Sequence, residues 1–359
     1  MKTLNTITRS LPVIALLGAA MALQTSTPAY GQAKEAAQRA DAKASKDQKV
    51  VVEPAAIDPK TAPKKDGWFP KLVLGANLSM VHTHDVQGVG NGLSLSIGGA
   101  LNGELVYRHG QHSWITLLSG IHAWTKSPTV EPFVKNADEM NLKSLYEYRF
   151  KKFEQLAVYG GLQAITALAP GSIVAAQDMP LIYNLLDGTQ ILGMAPRNQR
   201  VRVTKGFNPF IFKQLLGLTA RPYRSPIAEL DVKVSLVGQE VWAEGFTISD
   251  VKTTPELELV QLQDYQQFGL QIEALLGGKI QANLTYAFRL ELMYPFVTSI
   301  DTPLTGFDLL NTDITFKLSL KISKWAALEY SFGAKRQPLI VDQWQVTNNL
   351  VLSVTANIL

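Results

Sequence analysis

The sequence predicts an all-β chain: a transmembrane, up-and-down antiparallel β-barrel of about twelve strands with both termini periplasmic. Three observations carry this. Long segments alternate apolar and polar residues, short and long connections take turns between them, and the strand count is even. Four segments show the alternation best. Leu93, Leu95, Ile97, Leu101, Leu105 and Tyr107 alternate with Ser94, Ser96, Asn102, Glu104 and Arg108. Ala228, Leu230, Val232, Val234 and Leu236 alternate with Glu229, Asp231, Lys233 and Ser235. Ile280, Ala282, Leu284, Tyr286, Phe288, Leu290 and Leu292 alternate with Gln281, Asn283, Thr285, Arg289 and Glu291. Leu310, Ile314, Phe316, Leu318, Leu320 and Ile322 alternate with Asn311, Asp313, Thr315, Lys317, Ser319 and Lys321. Successive strand side chains point to opposite faces, so each segment has one apolar and one polar face. A secreted β-sandwich is the competing architecture, but it gives no reason for charged faces to recur on strand after strand.

From the start of the chain, residues 1–31 read as a secretory signal. Lys2 and Arg9 precede an apolar core from Leu11 to Leu23, and Ala29-Tyr30-Gly31 supplies the small residues of a cleavage site. Residues 32–66 are rich in Ala, Lys, Asp and Pro and read as a flexible periplasmic leader. The barrel then occupies 67–359, with strands expected at 71–83, 92–108, 112–125, 138–150, 153–167, 207–220, 226–238, 266–277, 279–293, 309–322, 325–336 and 344–359. Short turns are expected at 109–111, 151–152, 222–225, 278 and 323–324, and long loops at 84–91, 126–137, 168–206, 239–265, 294–308 and 337–343.

Bulk composition fits this picture. The 359 residues are 46% hydrophobic, which is ordinary for a barrel because only alternate residues meet lipid. A net charge of +4 is partly concentrated in the lysines of the leader and points to a solvated segment rather than to nucleic acid. The absence of cysteine excludes disulfides, thiolate catalysis and a lipoprotein anchor. Aromatics near strand ends (Trp68, Phe69, Trp114, Trp124, Tyr146, Tyr148, Phe288, Tyr294, Phe296, Trp325, Tyr330 and Trp344) are expected to form girdles at the two membrane surfaces.

Gly67-Trp68-Phe69, the segment GNGLSLSIGGALNGELVYRHG, Trp114, and Lys135 to Met140 leading into LKSLYEYRF together show a resemblance. Over residues 67–240 the chain resembles an outer-membrane barrel family known only as a domain of unknown function, similar in style to salt-induced outer-membrane barrels. The resemblance implies a fold and a location in the bacterial outer membrane; it brings no activity and no functional residues. The last residues, Asn357-Ile358-Leu359, depart from the aromatic ending common in such barrels.

The expected lumen carries Glu104, Arg108, Glu147, Arg149, Glu229, Asp231, Lys233, Glu273, Arg289, Glu291, Asp313, Lys317, Lys321, Glu329 and Lys335. Both signs occur together, unlike the single-sign rings of many selective channels. These residues read either as paired wall groups or as the lining of a narrow pore that draws in anionic solutes. The loop 168–206 has apolar stretches at 173–176 and 181–192, so it packs on something: the lumen, a short helix at 180–187, or the rim. Arg197, Arg200, Arg202 and Lys205 form its basic cluster, suited to lipopolysaccharide phosphates or simply to solvent. His82, His84, His109, His112 and His122 make no catalytic constellation, and Ser119 lies on the opposite face from His122. No metal site or cofactor is expected. The partners expected are outer-membrane lipid and lipopolysaccharide, the barrel-insertion machinery and a small solute, without nucleic acid. The leading expectation is a narrow pore or solute-binding barrel; the alternatives are a structural or assembly barrel with a plugged lumen, and a membrane-embedded lipid-modifying hydrolase.

Overall fold

The structure, a computed structural model, describes residues 66–83, 92–128, 130–225, 227–248, 256–323 and 326–357. The signal, nearly all of the leader, His84, the loop 84–91, Trp325 and the final Ile358-Leu359 lie outside the described residues. Long strands are β1 (Gly67–Thr83), β2 (Gly92–His109), β3 (His112–Ser127), β4 (Val130–Arg149) and β5 (Leu156–Thr166). Short strands follow: β6 (Ser172–Val174), β7 (Met179–Asn184), β8 (Gln190–Ala195) and β9 (Arg200–Arg202). The long β10 (Phe210–Arg224) and β11 (Ala228–Trp242) precede the short β12 (Phe246–Ile248) and β13 (Leu257–Gln261). The remaining strands are β14 (Tyr265–Gln281), β15 (Leu284–Thr298), β16 (Asn311–Lys321), β17 (Ala326–Gln337) and β18 (Val341–Asn357).

Twelve strands close into one barrel in the order β1-β2-β3-β4-β5-β10-β11-β14-β15-β16-β17-β18. Each barrel strand pairs antiparallel with its neighbours, and β1 meets β18 from Val73↔Asn357 to Asn77↔Ser353. Closure removes the open edges that would otherwise expose unpaired backbone to lipid.

The two faces are inverted relative to a water-soluble domain. On the outside, Leu216 is 63% and Leu162 51% exposed, whereas the inward Glu273 is 4% and Lys213 6% exposed. Aromatics collect at both ends of this apolar exterior. Trp68 stacks on Tyr107 at 4.7 Å and on Trp114 at 6.4 Å near the short turns. Phe210 meets Trp242 at 5.5 Å near the loops, where Trp124, Phe268, Phe296 and Trp344 are also exposed. From Trp114 to Trp124 the strand advances about 33 Å, or about 25 Å of height at a tilt of about 40°. That is the thickness of an outer-membrane apolar band. Phe69 is not part of a girdle: its cross-strand neighbour is Val106, which is buried on the inner face.

Several expected connections differ. Gly278 is not a turn; it pairs with Ala228 and Tyr286 inside the sheet, and the chain reverses after Gln281. A side chain at Gly278 would collide with the carbonyl of Ile227, so this glycine permits a close approach rather than a bend. The segment 126–137 is not a long loop, because β3 and β4 go on pairing as far as Ser127↔Val130. Likewise β17 and β18 leave only a tight turn between Gln337 and Val341.

The long 168–206 segment contains no helix. Leu181 and Tyr183 alternate with Ile182 on β7, which joins β8, β13 and β12 in a four-stranded sheet. Ala175, Leu181, Ala195 and Leu259 form the core of this small unit, with Tyr183 against Phe246 at 4.9 Å. The unit sits at the rim, tied to the upper end of β4 by Arg200 Nη2 donating to the Phe133 carbonyl at 2.7 Å. Asp138 strengthens the joint, accepting from the Leu168 and Ala169 amides at 3.1 and 2.7 Å and from Lys135 at 2.8 Å.

Candidate functional site: the barrel lumen

Register decides which charges meet. Lys233 pairs across strands with Glu273, and Glu273 with Glu291, so three ionisable groups enter the lumen at one level. Arg289 joins them from one step lower on β15, opposite Leu275. Two further cations arrive from distant strands. Lys143 on β4 reaches Glu273 on β14 at 3.3 Å, although β5, β10 and β11 intervene in the sheet. Lys213 on β10 reaches Glu291 on β15 at 2.7 Å past β11 and β14. These bonds cross the lumen rather than run along its wall.

The rest of the cluster closes around them. Lys233 Nζ donates to Glu273 at 3.1 Å. Arg289 donates through Nε to Glu273 at 3.1 Å and through Nη2 to Glu291, and stands 4.0 Å from Asp313. Four cations therefore face three carboxylates, and Glu273 and Glu291 are almost wholly shielded. Charges so deep persist only when paired and hydrogen-bonded, because each loses its hydration. A second group lies toward the short turns. Arg221 contacts Glu147 at 3.6 Å and Asp231 at 3.0 Å, and Arg149 stands 3.9 Å from Glu147.

Apolar clusters sit beside buried amides such as Gln163, Gln239, Gln267 and Gln271. Leu145, Tyr159, Leu215, Val237 and Met293 form one cluster inside the barrel. Nearer the loops, Ile211, Val241, Ala243 and Tyr265 form another, and Ile165, Leu262, Ile300, Leu339 and Ile340 pack against it. Leu339 and Ile340 belong to the turn between β17 and β18, so that turn reaches over the mouth toward β10, β11 and β14.

Of the residues expected in the lumen, Glu147, Arg149, Asp231, Lys233, Glu273, Arg289, Glu291 and Asp313 are brought together in these two groups. Arg108 faces inward in the fields of Glu147 and Arg221. Glu104, Lys317, Glu329 and Lys335 stand half-buried on inward positions outside the central cluster. Glu229 pairs with Arg224 at 3.5 Å at the turn end of the barrel. Lys321 is not in the lumen; as the last residue of β16 it is exposed. The basic cluster is exposed but partly engaged: Arg202 donates to the Thr204 carbonyl at 3.2 Å and Lys205 pairs with Glu244, besides the Arg200 bond to Phe133.

Sequence reasoning missed Lys143, Lys213 and Arg221. Lys143 has the same parity as Glu147 and was findable from β4 alone. Lys213 lies in Ile211-Phe212-Lys213-Gln214-Leu215-Leu216, where both faces mix apolar and polar residues and parity is silent. Arg221 sits where pairing shifts register between Ala220 and Tyr223, and a bulge resets the alternation. His122 does have a carboxylate partner, Asp138 at 2.9 Å, which is the same residue that anchors the rim unit.

No family profile matches the chain, and no curated protein does. Among solved structures it is similar to the translocator domain of the autotransporter NalP from Neisseria meningitidis, at 9% identity over 90% of this chain and 97% of that one, with a TM-score of 0.37. It is also similar to the β domain of the Bordetella autotransporter Brka, at 10% identity over 81% of this chain and 98% of that one, with a TM-score of 0.32. The outer membrane channel DcaP of Acinetobacter baumannii matches at 8% identity over 81% of this chain and 96% of that one, with a TM-score of 0.31. With TM-scores between 0.31 and 0.37, these likenesses are too distant to assign a role to any residue.

Proposed function

We propose that this chain is an outer-membrane barrel whose lumen is closed at rest, serving as a membrane anchor that presents the small β-unit on the outer side. The carrying observation is the pair of ion bonds between strands that are not neighbours, Lys143 to Glu273 and Lys213 to Glu291. A water-filled pore would leave such groups solvated on separate parts of the wall, whereas Lys213, Glu273 and Glu291 are buried and Lys143 is nearly so. The outer-membrane setting is supported by the apolar exterior, its two aromatic belts and the signal-like first 31 residues. The expected result is no steady single-channel conductance when the purified full chain is inserted into planar bilayers. A steady open level in the wild type would defeat the closed reading.

A second reading, a gated narrow pore for an anionic solute, is favoured by one feature. The mouth is covered partly by Leu339 and Ile340 of a turn rather than by the wall alone. If that turn is a gate, Leu339→Ser with Ile340→Ser produces intermittent openings with anion preference. A silent double variant leaves the anchoring role as the better account.

A further inference from the structure

Lys135 and Asp138 fix where the small β-unit leans. His122, Trp124 and Lys126 of β3 share the outward face with Ile97 of β2, and across to β4 His122 pairs with Asp138 and Trp124 with Lys135. Both β4 side chains therefore point away from the lumen, and both hold the start of the 168–206 segment. Asp138 accepts from the Leu168 and Ala169 amides, and Lys135 Nζ donates to the Ala169 carbonyl at 2.7 Å. Further along, the Glu131 amide donates to Asn198 Oδ1 at 3.2 Å, close to where Arg200 bonds the Phe133 carbonyl. The unit thus hangs over the outer side of β4, and its basic residues stand just above the Trp124 belt.

Two kinds of surface meet there. Above the belt, Val201 packs into the core of the unit, so its strand neighbours Arg200 and Arg202 turn to solvent together, about 7 Å apart. Each guanidinium gives one nitrogen to a carbonyl and keeps others for a ligand. Lys126, one outward step beyond Trp124, is exposed as well, and Glu131 is exposed beside them and offsets one charge. Below the belt the outer wall is shallow. Ala76, Gly99 and His122 share one cross-strand row, and Leu74, Leu101, Gly120 and Met140 share the next. A Cβ at Gly99 would meet only the Gly75 carbonyl at 3.8 Å, and one at Gly120 only Leu101 Cβ at 3.9 Å, so both glycines open onto free space.

We propose that this face binds an outer-leaflet glycolipid carrying more than one phosphate, of the lipopolysaccharide kind: its phosphates meet Lys126, Arg200 and Arg202, and one acyl chain lies over Gly99 and Gly120 beneath Trp124. The site rests on the reading above, in which the small unit faces outward. Charge selects the headgroup, since cations spread from the wall onto the rim match oxyanions spaced along a large headgroup, and a guanidinium holds phosphate through paired hydrogen bonds. Position selects the leaflet, because the cations lie on the loop side of the apolar band with the shallow wall beneath them.

The test is native mass spectrometry of the full chain in detergent, titrated with bisphosphorylated lipid A, with its monophosphorylated form, and with inorganic phosphate. The wild type is expected to hold one bisphosphorylated lipid A and to favour it about fivefold over the monophosphorylated form, the effect of one partly screened ion pair. Lys126→Gln combined with Arg202→Gln is expected to weaken that binding about tenfold. Gly120→Leu is expected to weaken both lipid forms about fivefold by filling the wall. Gly99→Leu asks the same question should the first variant not fold, heat-modifiable gel migration reporting folding. Lys152→Gln, exposed in a turn at the opposite end, leaves binding unchanged. Equal lipid retention by the wild type and these charge-removed and filled variants overturns the proposal, as does inorganic phosphate that binds as tightly as the lipid. Equal affinity for the two lipid forms overturns the part assigned to a second phosphate. Orientation is read separately. The chain has no cysteine, so Thr189→Cys in the β7–β8 turn gives a single thiol, which an impermeant maleimide is expected to label on intact cells. A thiol labelled only after the outer membrane is opened overturns the outward reading itself.

Discussion

The middle of the lumen and its loop-side mouth are bridged by opposite chemistry. At mid-height, Lys143, Lys213, Lys233 and Arg289 are braced against Glu273 and Glu291, all on barrel strands. At the mouth, Ile211, Val241 and Tyr265 of the wall meet Leu262, Ile300, Leu339 and Ile340 from connections. The ionic brace is directional, and strand register fixes its members. The apolar cover is non-directional and tolerates the looser geometry of turns. Opening is therefore cheaper at the mouth. A turn carrying two half-buried side chains moves without breaking any charge pair, whereas opening the middle separates buried ions.

The largest expected effect comes from Glu273→Ala, which leaves Lys143, Lys233 and Arg289 without their shared carboxylate. Unfolding from vesicles, followed by tryptophan fluorescence, is expected to show a loss of about 3–5 kcal/mol. A loss below about 1 kcal/mol would remove the contrast at its ionic side. Tyr265→Ala removes the aromatic centre of the mouth cluster and is expected to cost about 3 kcal/mol by the same assay. A finer discrimination comes from exchanging chemistry rather than deleting it. Lys213→Met combined with Glu291→Leu is expected to fall within about 1.5 kcal/mol of the wild type, although Lys213→Ala alone costs about 3 kcal/mol. If the double replacement is as damaging as the single one, the pair stabilises through more than mutual compensation. Smallest is Arg200→Ala at the rim, expected to cost the barrel nothing measurable and its local joint about 1 kcal/mol. Faster proteolysis within 168–206, with unchanged barrel unfolding, is the readout.

Much of the wall was legible in the residues. Leu93 to Arg108 and Asn311 to Ser319 alternate so cleanly that strand and face both come from period two, while Lys321 at the strand end emerges into solvent. Legibility failed where a local rule was overridden by a distant contact. Gly278 resembles a turn residue, yet the neighbouring Ile227 carbonyl requires a glycine there in mid-ladder. The segment 181–192 resembles an apolar run of uncertain type; it folds as the β7–β8 hairpin, and pairing of β7 with β13, far along the chain, extends that hairpin into a four-stranded sheet. His122 stands apart from any carboxylate in the chain until β3 and β4 pair and set it beside Asp138.

Alternation, composition and the apolar start are enough to establish that the chain builds a β-wall with one greasy and one charged face, because side-chain direction on a strand is a purely local property. Which inward charges meet one another was decided only by closure. Lys143 and Glu273 lie on strands far apart in the chain, and no periodicity records the distance across a barrel.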